Sequence, residues 1–433
     1  MNEASLTGRV VFPDGVRPAA IVIDSEHGSI ASVRPADGPV ADMPLIFPGF
    51  IDIHVHAREY AEPSDADPTA MEKWEAALRK ETFVTAGRAA LNGGVTLFAA
   101  MPNDPDPPDD PDRYARKVAL ASSSPCPVVV FSVVTARSEP WKNLPYKVYL
   151  DVSASSVSFT DWHELESALR RYRGRRLFFH AEDPKILSRT GGGSPRWRTR
   201  PPEAEIVAVE KILELTAKLG LHTHLCHLST ARAVELVREY NRGSADKVSC
   251  EVTPHHLFFS VDDRGVRSAL TDQVPASGWL ECNPPLRSEE DRRYLVYALK
   301  EGLVDVLASD HAPHTLADKE GGAPGMPHLD TLGAFAGWLV TACGFPPERV
   351  AEVLSQAPAR LFSPDLDRVH GIVEEGAAAS FTLLDTAGTT LVEEDAIRGQ
   401  GPLQTRCGWS PFDRIPLPAR VTGVMVRGRR DLR

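Results

Sequence analysis

The chain has 433 residues, of which 42% are apolar and 25% are charged, the usual balance of a soluble globular protein. This balance excludes a disordered, a collagen-like and a membrane-embedded class of protein. The 48 basic and 59 acidic residues leave a net charge of −11, which argues against nucleic-acid binding through broad phosphate neutralisation.

Both ends of the chain are rich in short strand-like runs. GRVVFPDG and AAIVIDSEHGSIASV lie near the start, and ASFTLLD and VTGVMVRGR lie near the end. Such runs, separated by turn residues, predict β-structure. We therefore expect one small β-sandwich domain formed from residues 1–46 and 366–433, with a single barrel domain at 47–365 between its two parts.

The middle of the chain alternates strand-like and helical segments. EAEIVAVEKILELTAKL carries apolar residues at helical spacing, and SEEDRRYLVYALKEG has Ser288 and Asp291 to cap a helix and Gly302 to end it. Eight strands alternating with helices predict an α/β fold of the (β/α)8 TIM-barrel type, although the third crossover is short. The eight apolar runs end near His56, Met101, Val134, Asp151, His180, Leu228, Thr253 and Asp310.

The first run, FPGFIDIHVHARE, carries two histidines at the end of a strand. Strand alternation places Asp52, His54 and His56 on one face. Two imidazoles spaced in this way can chelate one metal ion, although a polar strand end explains the same pattern. The carboxyl ends of barrel strands meet at one rim, so recurrence of such residues predicts a metal centre there. Three later runs also end in metal-capable residues, namely His180, His227 and Asp310.

The fourth run, YKVYLD, places a lysine among apolar neighbours. A buried lysine is unfavourable unless it is neutralised or modified. Lys147 is therefore a candidate for addition of CO2 to its amine, which gives a carbamate able to bridge two metal ions. The alternative is an unmodified lysine that extends from a strand edge towards water.

A series of motifs follows the order seen in the dihydroorotases of the amidohydrolase superfamily. They are HVHARE, AMPND, YKVYL, HAED, RPPEAE, CHLST, EVTPHHLFF, NPPLR, ASDHAPHT and APGMP. The resemblance covers about residues 45 to 330, with a weaker likeness at CGWSPF. ASDHAPH together with MPN and NPPLR resembles dihydroorotases, whereas hydantoinases and allantoinases share the metal ligands but differ around them.

The resemblance implies a centre of two divalent metal ions, usually zinc. A carboxylated Lys147 would bridge the ions through a CO2-derived carbamate, and Asp151 is the reserve, because some bacterial dihydroorotases use an aspartate a few positions later. For Glu251 and His255, a role beside the ligands or at a third metal and an ordinary structural role both stay open. The implied ligands are His54, His56 and Asp310 for one ion, and His180 and His227 for the other.

The resemblance also implies the substrate contacts. Arg58 would bind the substrate carboxylate through its bidentate fork, together with Asn103. Contacts to the ring or its carboxylate would come from Asn283 and His314, and contacts to the pyrimidine carbonyls from the backbone around Pro324 and Gly325.

The implied reaction is the reversible cyclisation of N-carbamoyl-L-aspartate to L-dihydroorotate, a step of pyrimidine biosynthesis. Asp310 would take a proton from the attacking water and pass it to the leaving ring nitrogen. The alternatives are another cyclic amide hydrolase (a hydantoinase, dihydropyrimidinase or allantoinase) and an inactive scaffold for aspartate transcarbamoylase. A scaffold would have lost metal ligands, and none is missing.

Four segments depart from the dihydroorotase pattern. REYA replaces REPG after the metal histidines, and an acidic insertion, roughly Tyr60 to Lys80, follows and is interpreted as a lid. Glu281 stands where a basic residue is common, and DVSASSVSF after Lys147 differs from the expected loop. These differences concern substrate gating rather than the metal ligands.

Other polar residues near the predicted site are interpreted as structural. His222 and His224 are expected to be satisfied structural histidines, and His311 to point to the opposite strand face from Asp310. Cysteines close to the site are expected to be packing thiols, because imidazole and oxygen ligands already complete the centre. They are Cys226, Cys250 and Cys282.

The setting and partners follow from weaker signals. Six scattered cysteines without a CxxC pair favour reduced thiols and a cytoplasmic location. The first residues lack a signal-peptide pattern, and no apolar run is long enough to span a membrane. We expect a small-molecule substrate and no nucleic-acid or membrane partner, while a homodimer and an association with aspartate transcarbamoylase stay open.

Overall fold

The computed structural model describes residues 3–36, 43–63, 67–151, 157–191, 193–263, 265–271, 275–393, 396–398 and 401–432. Part of the predicted insertion (64–66) and most of the loop that follows Asp151 (152–156) lie outside these ranges.

Strands from both ends of the chain form one mixed sheet. Leu45–Pro48 pairs in parallel with Glu3–Phe12 and antiparallel with Phe381–Glu393, so it joins the amino-terminal and carboxyl-terminal parts. Ile21 and Phe381, from opposite ends of the chain, belong to one buried apolar cluster. The nine strands are Glu3–Phe12, Gly15–Asp24, Ser29–Pro35, Leu45–Pro48, Phe381–Glu393, Ala396–Arg398, Gly401–Pro402, Leu417–Val426 and Arg429–Leu432.

Parallel strands in the middle of the chain form the barrel. They fall at the eight predicted runs, the third of which is split in two, and the barrel closes where Val55 of the first run pairs in parallel with His311 after the last. Their largely buried residues explain why the runs are apolar throughout. The strands are Phe50–Val55, Val95–Ala100, Val128–Val130, Ser132–Val133, Pro145–Leu150, Arg176–Ala181, His222–Leu225, Ser249–Val252 and Val306–Leu307, with a short strand Ser158–Phe159 beside the fourth run and a separate hairpin of Phe259–Asp262 and Gly265–Ser268.

Helices connect most of the barrel strands, and the TIM-barrel α/β fold is confirmed. Residues 134–144, all of which are described, contain no helix, so the third crossover is indeed short. The helices are Pro68–Lys80, Phe83–Asn92, Pro111–Ala121, Trp162–Leu169, Pro184–Thr190, Arg196–Thr199, Pro202–Leu219, Ala231–Gly243, Pro254–Phe258, Glu289–Lys300, Leu316–Glu320, Leu332–Thr341, Pro347–Ala351 and Ala357–Phe362. Short 3-10 helices occur at Arg170–Tyr172, Ser277–Leu280, Leu329–Thr331 and Ser363–Asp365, and a π-helical turn occurs at Glu352–Gln356.

Two predicted helices illustrate how the sequence sets their bounds. The Ser288 side chain accepts from the backbone N–H of Asp291, as expected, and this helix ends at Lys300, two residues before Gly302. The helix Pro202–Leu219 ends at Gly220, whose φ of 65° lies in the left-handed region that glycine adopts without strain. Across the described residues, no helix combines the length and the apolar character that crossing a bilayer requires.

Candidate metal centre and substrate cavity

The predicted site residues surround one cavity of about 260 Å³ at the carboxyl ends of the barrel strands. Tyr149 and Ala312 also line it and were not predicted. Lys147 lies fully buried among the strands that carry the lining residues. The predicted lining residues are His54, His56, Arg58, Asn103, Asp151, His180, His227, Asn283, Asp310, His314, Pro324 and Gly325.

A larger cleft of about 1000 Å³ lies elsewhere, between the Ser25–Gly28 turn and the strand Val128–Val130. Three groups of metal-capable side chains occur among the described residues, and none of their members lines this cleft. We therefore place the candidate metal centre in the smaller cavity.

Three side chains at the rim converge closely enough to hold one metal ion. The Nε2 atoms of His54 and His56 lie 3.4 and 3.2 Å from Oδ1 of Asp310. The residues come from the first and last barrel strands, which the closing bridge at Val55 brings side by side. All three side chains are buried.

The proton positions show that this group fits a cation. The Nδ1 atom of His54 bonds to Glu251 at 2.5 Å, and Nδ1 of His56 bonds to Oδ1 of Asn103 at 2.7 Å. Since both partners accept, each ring donates from Nδ1, and its Nε2 atom, which carries the lone pair in this neutral tautomer, faces Asp310. Two lone pairs facing a carboxylate oxygen repel one another unless a cation lies between them, so the donor set is that of a metal site.

Burial and neighbouring charges favour the same protonation states. Burial lowers the pKa of His56 to about 4, which keeps this ring neutral near pH 7. Burial alone would raise the pKa of Asp310, but the surrounding His54, His56 and His227 hold it well below its usual value. Asp310 is therefore an ionised carboxylate.

His180 and His227 form a second pair of candidate ligands. Nδ1 of His180 faces Nε2 of His227 at 3.0 Å, and Nε2 of His180 lies 3.2 Å from a Glu182 oxygen. Burial, followed by the charge of His180, places the pKa of His227 well below its usual value. The ring centroid of His227 is 5.1 Å from that of His54, so both predicted ligand groups meet in one place.

The two candidates for the bridging group have different surroundings. Nζ of Lys147 is 2.8 Å from Sγ of Cys226. By contrast, Asp151 accepts a 2.8 Å hydrogen bond from Arg200, which also binds Glu182. Cys226, a buried thiol, therefore contacts the predicted carbamate-forming amine.

Glu251 connects several histidines behind the ligands. Besides His54, it bonds to Nε2 of His224 at 3.1 Å and accepts from the backbone N–H of His227 at 3.2 Å. The other nitrogen of His224 bonds to Ser249, so this ring is satisfied within the protein, as expected. The group formed by His54, Cys226 and Glu251 could also hold a metal ion.

The remaining histidines contact protein atoms. His311 accepts from the backbone of His328 through Nδ1 and bonds to Glu81 through Nε2, in keeping with its predicted structural role. Nδ1 of His255 faces Nε2 of His328 at 3.0 Å, while His255 also belongs to a metal-capable group with His256 and Cys282. Both nitrogens of His256 are bonded, to Thr253 and to the Pro284 carbonyl, which argues against a metal ion in that group.

Three non-glycine residues of the site have a left-handed backbone. The φ angles are 60° at Arg58, 35° at His227 and 46° at Asp310. Each residue lies two or three positions after the last residue of a barrel strand. Such strained conformations concentrate at functional sites, where they aim side chains that a regular strand could not.

The predicted substrate side of the cavity contains a cation and two amides. Nη2 of Arg58 donates to Nε2 of His314 at 3.3 Å, and burial together with Arg58 holds the pKa of His314 well below its usual value. Oδ1 of Asn103 accepts from His56, and Oδ1 of Asn283 accepts from Nη1 of Arg196 at 3.3 Å. The amide oxygen of each side chain therefore binds a donor of the protein, and its NH2 group points away from that donor.

The wall formed by Pro324 and Gly325 corrects one expectation. Proline has no N–H, and the N–H of Gly325 donates to the Glu281 carbonyl at 2.8 Å. Nζ of Lys319 binds the carbonyls of Glu281, Ala323 and Gly325 at 2.7–2.9 Å. These two residues therefore shape the cavity but offer the pyrimidine carbonyls no backbone donor.

Glu281 stands where the resemblance led us to expect a basic residue, and a basic residue faces it. Oε2 of Glu281 accepts from the backbone N–H of Arg196 at 2.9 Å, and Nη2 of Arg196 donates to the Gly322 carbonyl at 3.2 Å. Arg196 thus joins three loops at the edge of the cavity. No periodic pattern around RWRTR identified this role, because the contact depends on the path of a loop.

The acidic insertion and the CGWSPF motif both support the substrate side. The helix Pro68–Lys80 ends beside the site, where Nζ of Lys80 is 3.7 Å from Asp318, and Lys80 further lowers the pKa of His314. Nε1 of Trp409 donates to the His314 carbonyl at 2.7 Å. The weak carboxyl-terminal likeness therefore corresponds to a residue that fixes the backbone of His314.

Comparison with known proteins agrees with this geometry. Residues 45–430 match the amidohydrolase family. The chain is 32% identical to the dihydroorotase of Archaeoglobus fulgidus over 85% of this chain and 83% of that protein, and 32% identical to that of Pyrococcus abyssi over 98% and 94%.

Similar solved structures show the fold. The L-hydantoinase (dihydropyrimidinase) from Arthrobacter aurescens superposes with a TM-score of 0.82 at 23% identity, covering 98% of this chain and 94% of that one. The D-hydantoinase from Thermus sp. gives 0.77 at 20% identity, with the same coverage. The family match and the identity to dihydroorotases together show that the chain belongs to the amidohydrolase family and, within it, to the dihydroorotases.

Proposed function

We propose that this chain catalyses the reversible cyclisation of N-carbamoyl-L-aspartate to L-dihydroorotate, as a metal-dependent hydrolase of a cyclic amide. The observation that carries the proposal is the pairing, in one cavity, of a histidine–aspartate cluster with Arg58 and Asn103. A substrate without a ring carboxylate has no use for such a cationic grip. The dihydroorotase relatives support the same reaction.

Amidohydrolases use divalent metal ions, and the rim residues fit them. We propose that zinc binds to His54, His56 and Asp310 and to His180 and His227. Lys147, as a carbamate formed with CO2, is proposed to connect the two sites, and the engagement of Asp151 by Arg200 makes Asp151 the weaker choice. When bound, the ions supply Lewis acidity that ionises water and polarises the amide carbonyl.

The protein's own groups position the substrate and move one proton. Arg58, Asn103 and His314 hold the substrate carboxylate, so that the ring amide carbonyl meets the attacking water. In the hydrolytic direction, Asp310 accepts a proton from that water and delivers it to the ring nitrogen as the carbon–nitrogen bond breaks. The low pKa of Asp310 keeps its carboxylate ionised at neutral pH, so its oxygen atoms carry no proton before the reaction.

A substrate panel with metal analysis tests the proposal. Turnover of dihydroorotate, hydantoin, dihydrouracil and allantoin is compared on one preparation whose zinc content is measured. We expect dihydroorotate to be hydrolysed with the highest kcat/KM, and Arg58→Met to remove that preference. Preferred turnover of an uncharged ring would contradict the proposal, and a metal-free, inactive protein would favour the scaffold alternative.

The architecture and setting also carry proposals. We propose that the terminal sheet folds as a β-sandwich contributed by residues 1–46 and 366–433, beside the barrel at 47–365, which supplies the predicted site residues. All six cysteines are unpaired thiols, which supports a reducing, cytoplasmic setting. A homodimer and an association with aspartate transcarbamoylase stay predictions, and the mass of the purified protein with and without added transcarbamoylase measures both.

A further inference from the structure

One hydroxyl group in the cavity has no task in the reaction as described. Tyr149 lines the cavity and is only 5% exposed, and its Oη atom has no hydrogen-bond partner among the described residues. Burying a hydroxyl without a partner is unfavourable. An unpartnered donor in a substrate cavity therefore indicates that its partner is an atom of the ligand.

The strand register places Tyr149 beside the metal-binding side chains. It follows Lys147 by two residues, so both side chains leave the strand Pro145–Leu150 on the same face. Tyr149 is the register partner of His180 on the neighbouring strand, and their ring centroids are 6.4 Å apart. The ring of Tyr149 packs with Val133 and Val157, which fixes its direction.

The protonation state makes this hydroxyl a donor. A tyrosine hydroxyl has an ordinary pKa of about 10, well above neutral pH. The group therefore keeps its proton at neutral pH. Arg58 and the candidate metal ligand His180 line the same cavity as Tyr149.

We propose that Tyr149 is a further catalytic residue, whose hydroxyl donates a hydrogen bond to the oxygen of the amide carbonyl that water attacks. The inference rests on the proposed function. Negative charge grows on this oxygen as the carbonyl becomes tetrahedral, so the hydrogen bond strengthens in the transition state. The proton stays on Tyr149 throughout, and no bond of the side chain breaks.

The test is Tyr149→Phe, which removes the hydroxyl and keeps the ring. Its matched control is Tyr146→Phe on the opposite face of the same strand, where Oη donates to the Lys142 carbonyl at 2.9 Å. We expect Tyr149→Phe to lower kcat for dihydroorotate by about 10²–10³-fold with little change in KM, as for loss of one oxyanion donor. Zinc content and melting temperature should match the wild type, and Tyr146→Phe should leave kcat unchanged.

Two results would overturn the inference. An unchanged kcat in Tyr149→Phe would mean that the hydroxyl does not contact the reacting carbonyl. A raised KM with an unchanged kcat would place it on the substrate carboxylate instead. If the wild type prefers another cyclic amide, the proposed function fails. The same variants are then compared on that substrate, because its amide carbonyl also becomes tetrahedral when water attacks.

Discussion

The metal side and the substrate side of the cavity are held by groups of opposite charge. Behind the candidate ligands, buried carboxylates accept hydrogen bonds, with Glu251 on His54 and Glu182 on His180. On the substrate side, Arg196 donates to the amide oxygen of Asn283. Acceptors behind a histidine leave its lone pair for a cation, whereas a donor behind an amide oxygen turns the NH2 end of the amide away from that donor.

The two sides also differ in where their residues come from. The candidate metal ligands stand at barrel strand ends, where neighbouring strands fix their separation. The substrate side is assembled from loops, namely the 281–283 and 322–325 segments, joined by Arg196 and Lys319. We therefore expect changes on the metal side to act on kcat and metal affinity, and changes on the substrate side to act on KM.

The largest effect is expected at Asp310, the residue that moves the proton. Asp310→Asn keeps the size of the side chain but cannot accept the proton, so kcat should fall by roughly 10²–10⁴-fold. Since Asp310 is also a proposed metal ligand, zinc content is measured on the same sample by atomic absorption and kcat is compared per bound zinc. Asp305→Asn is the control, since Asp305 lies at the other end of the same strand and accepts from the Cys250 backbone. A near-normal kcat would remove Asp310 from its assigned role.

Glu251 tests whether the carboxylates behind the ligands set the metal affinity. In Glu251→Gln, the partner of the His54 Nδ1 proton loses its charge, and we expect zinc affinity to drop by about 10–100-fold. Competition with a chromogenic chelator measures it. Asp330→Asn is a suitable control, because this buried carboxylate binds Asn92 and the 404–405 backbone instead. Equal zinc affinities in both variants would show that Glu251 is merely structural.

His256 connects Thr253, which follows a barrel strand, to the loop at Pro284, and it should make the free energy of unfolding depend on pH. The neutral ring donates to the Pro284 carbonyl through Nε2 and accepts from the Thr253 hydroxyl through Nδ1, and burial lowers its pKa to about 4. Between pH 6.5 and 4 the unfolded chain binds a proton here that the folded protein does not, so stability falls as the pH falls.

The size of this pH-dependent change in unfolding free energy follows from the difference between the folded and unfolded pKa values of His256. Between pH 7 and 5, the wild type should lose about 2 kcal/mol more unfolding free energy than His256→Gln, which cannot titrate. Urea unfolding at both pH values measures the difference. Identical pH dependence in the two proteins would mean that His256 keeps an ordinary pKa in the folded state.

The same contrast explains what the sequence predicts well. His54 and Asp310 could be placed together because strand alternation and barrel closure are regular, and these set where side chains meet. Tyr149 could have been found in the same way, since it alternates with Lys147, but an aromatic residue in a buried strand is typical of packing and does not by itself indicate a site. Gly325 lines the cavity, but its N–H donates to the Glu281 carbonyl, a contact between two loops that no periodicity encodes.

The smallest effect is the expected change of KM in an Arg196 variant, which tests whether cationic side chains orient the residues of the substrate side. Arg196→Met removes the donor that binds the Asn283 amide oxygen, so it should raise KM by about tenfold, the value of one charged hydrogen bond. Asn283→Ala should raise KM by a similar factor. If Arg196 acts through Asn283, the double variant should be no worse than Asn283→Ala alone. Multiplied effects would instead mean that the Arg196 side chain contributes independently, through the Gly322 carbonyl or its ion pair with Glu281, and that the amide is oriented by the loop itself.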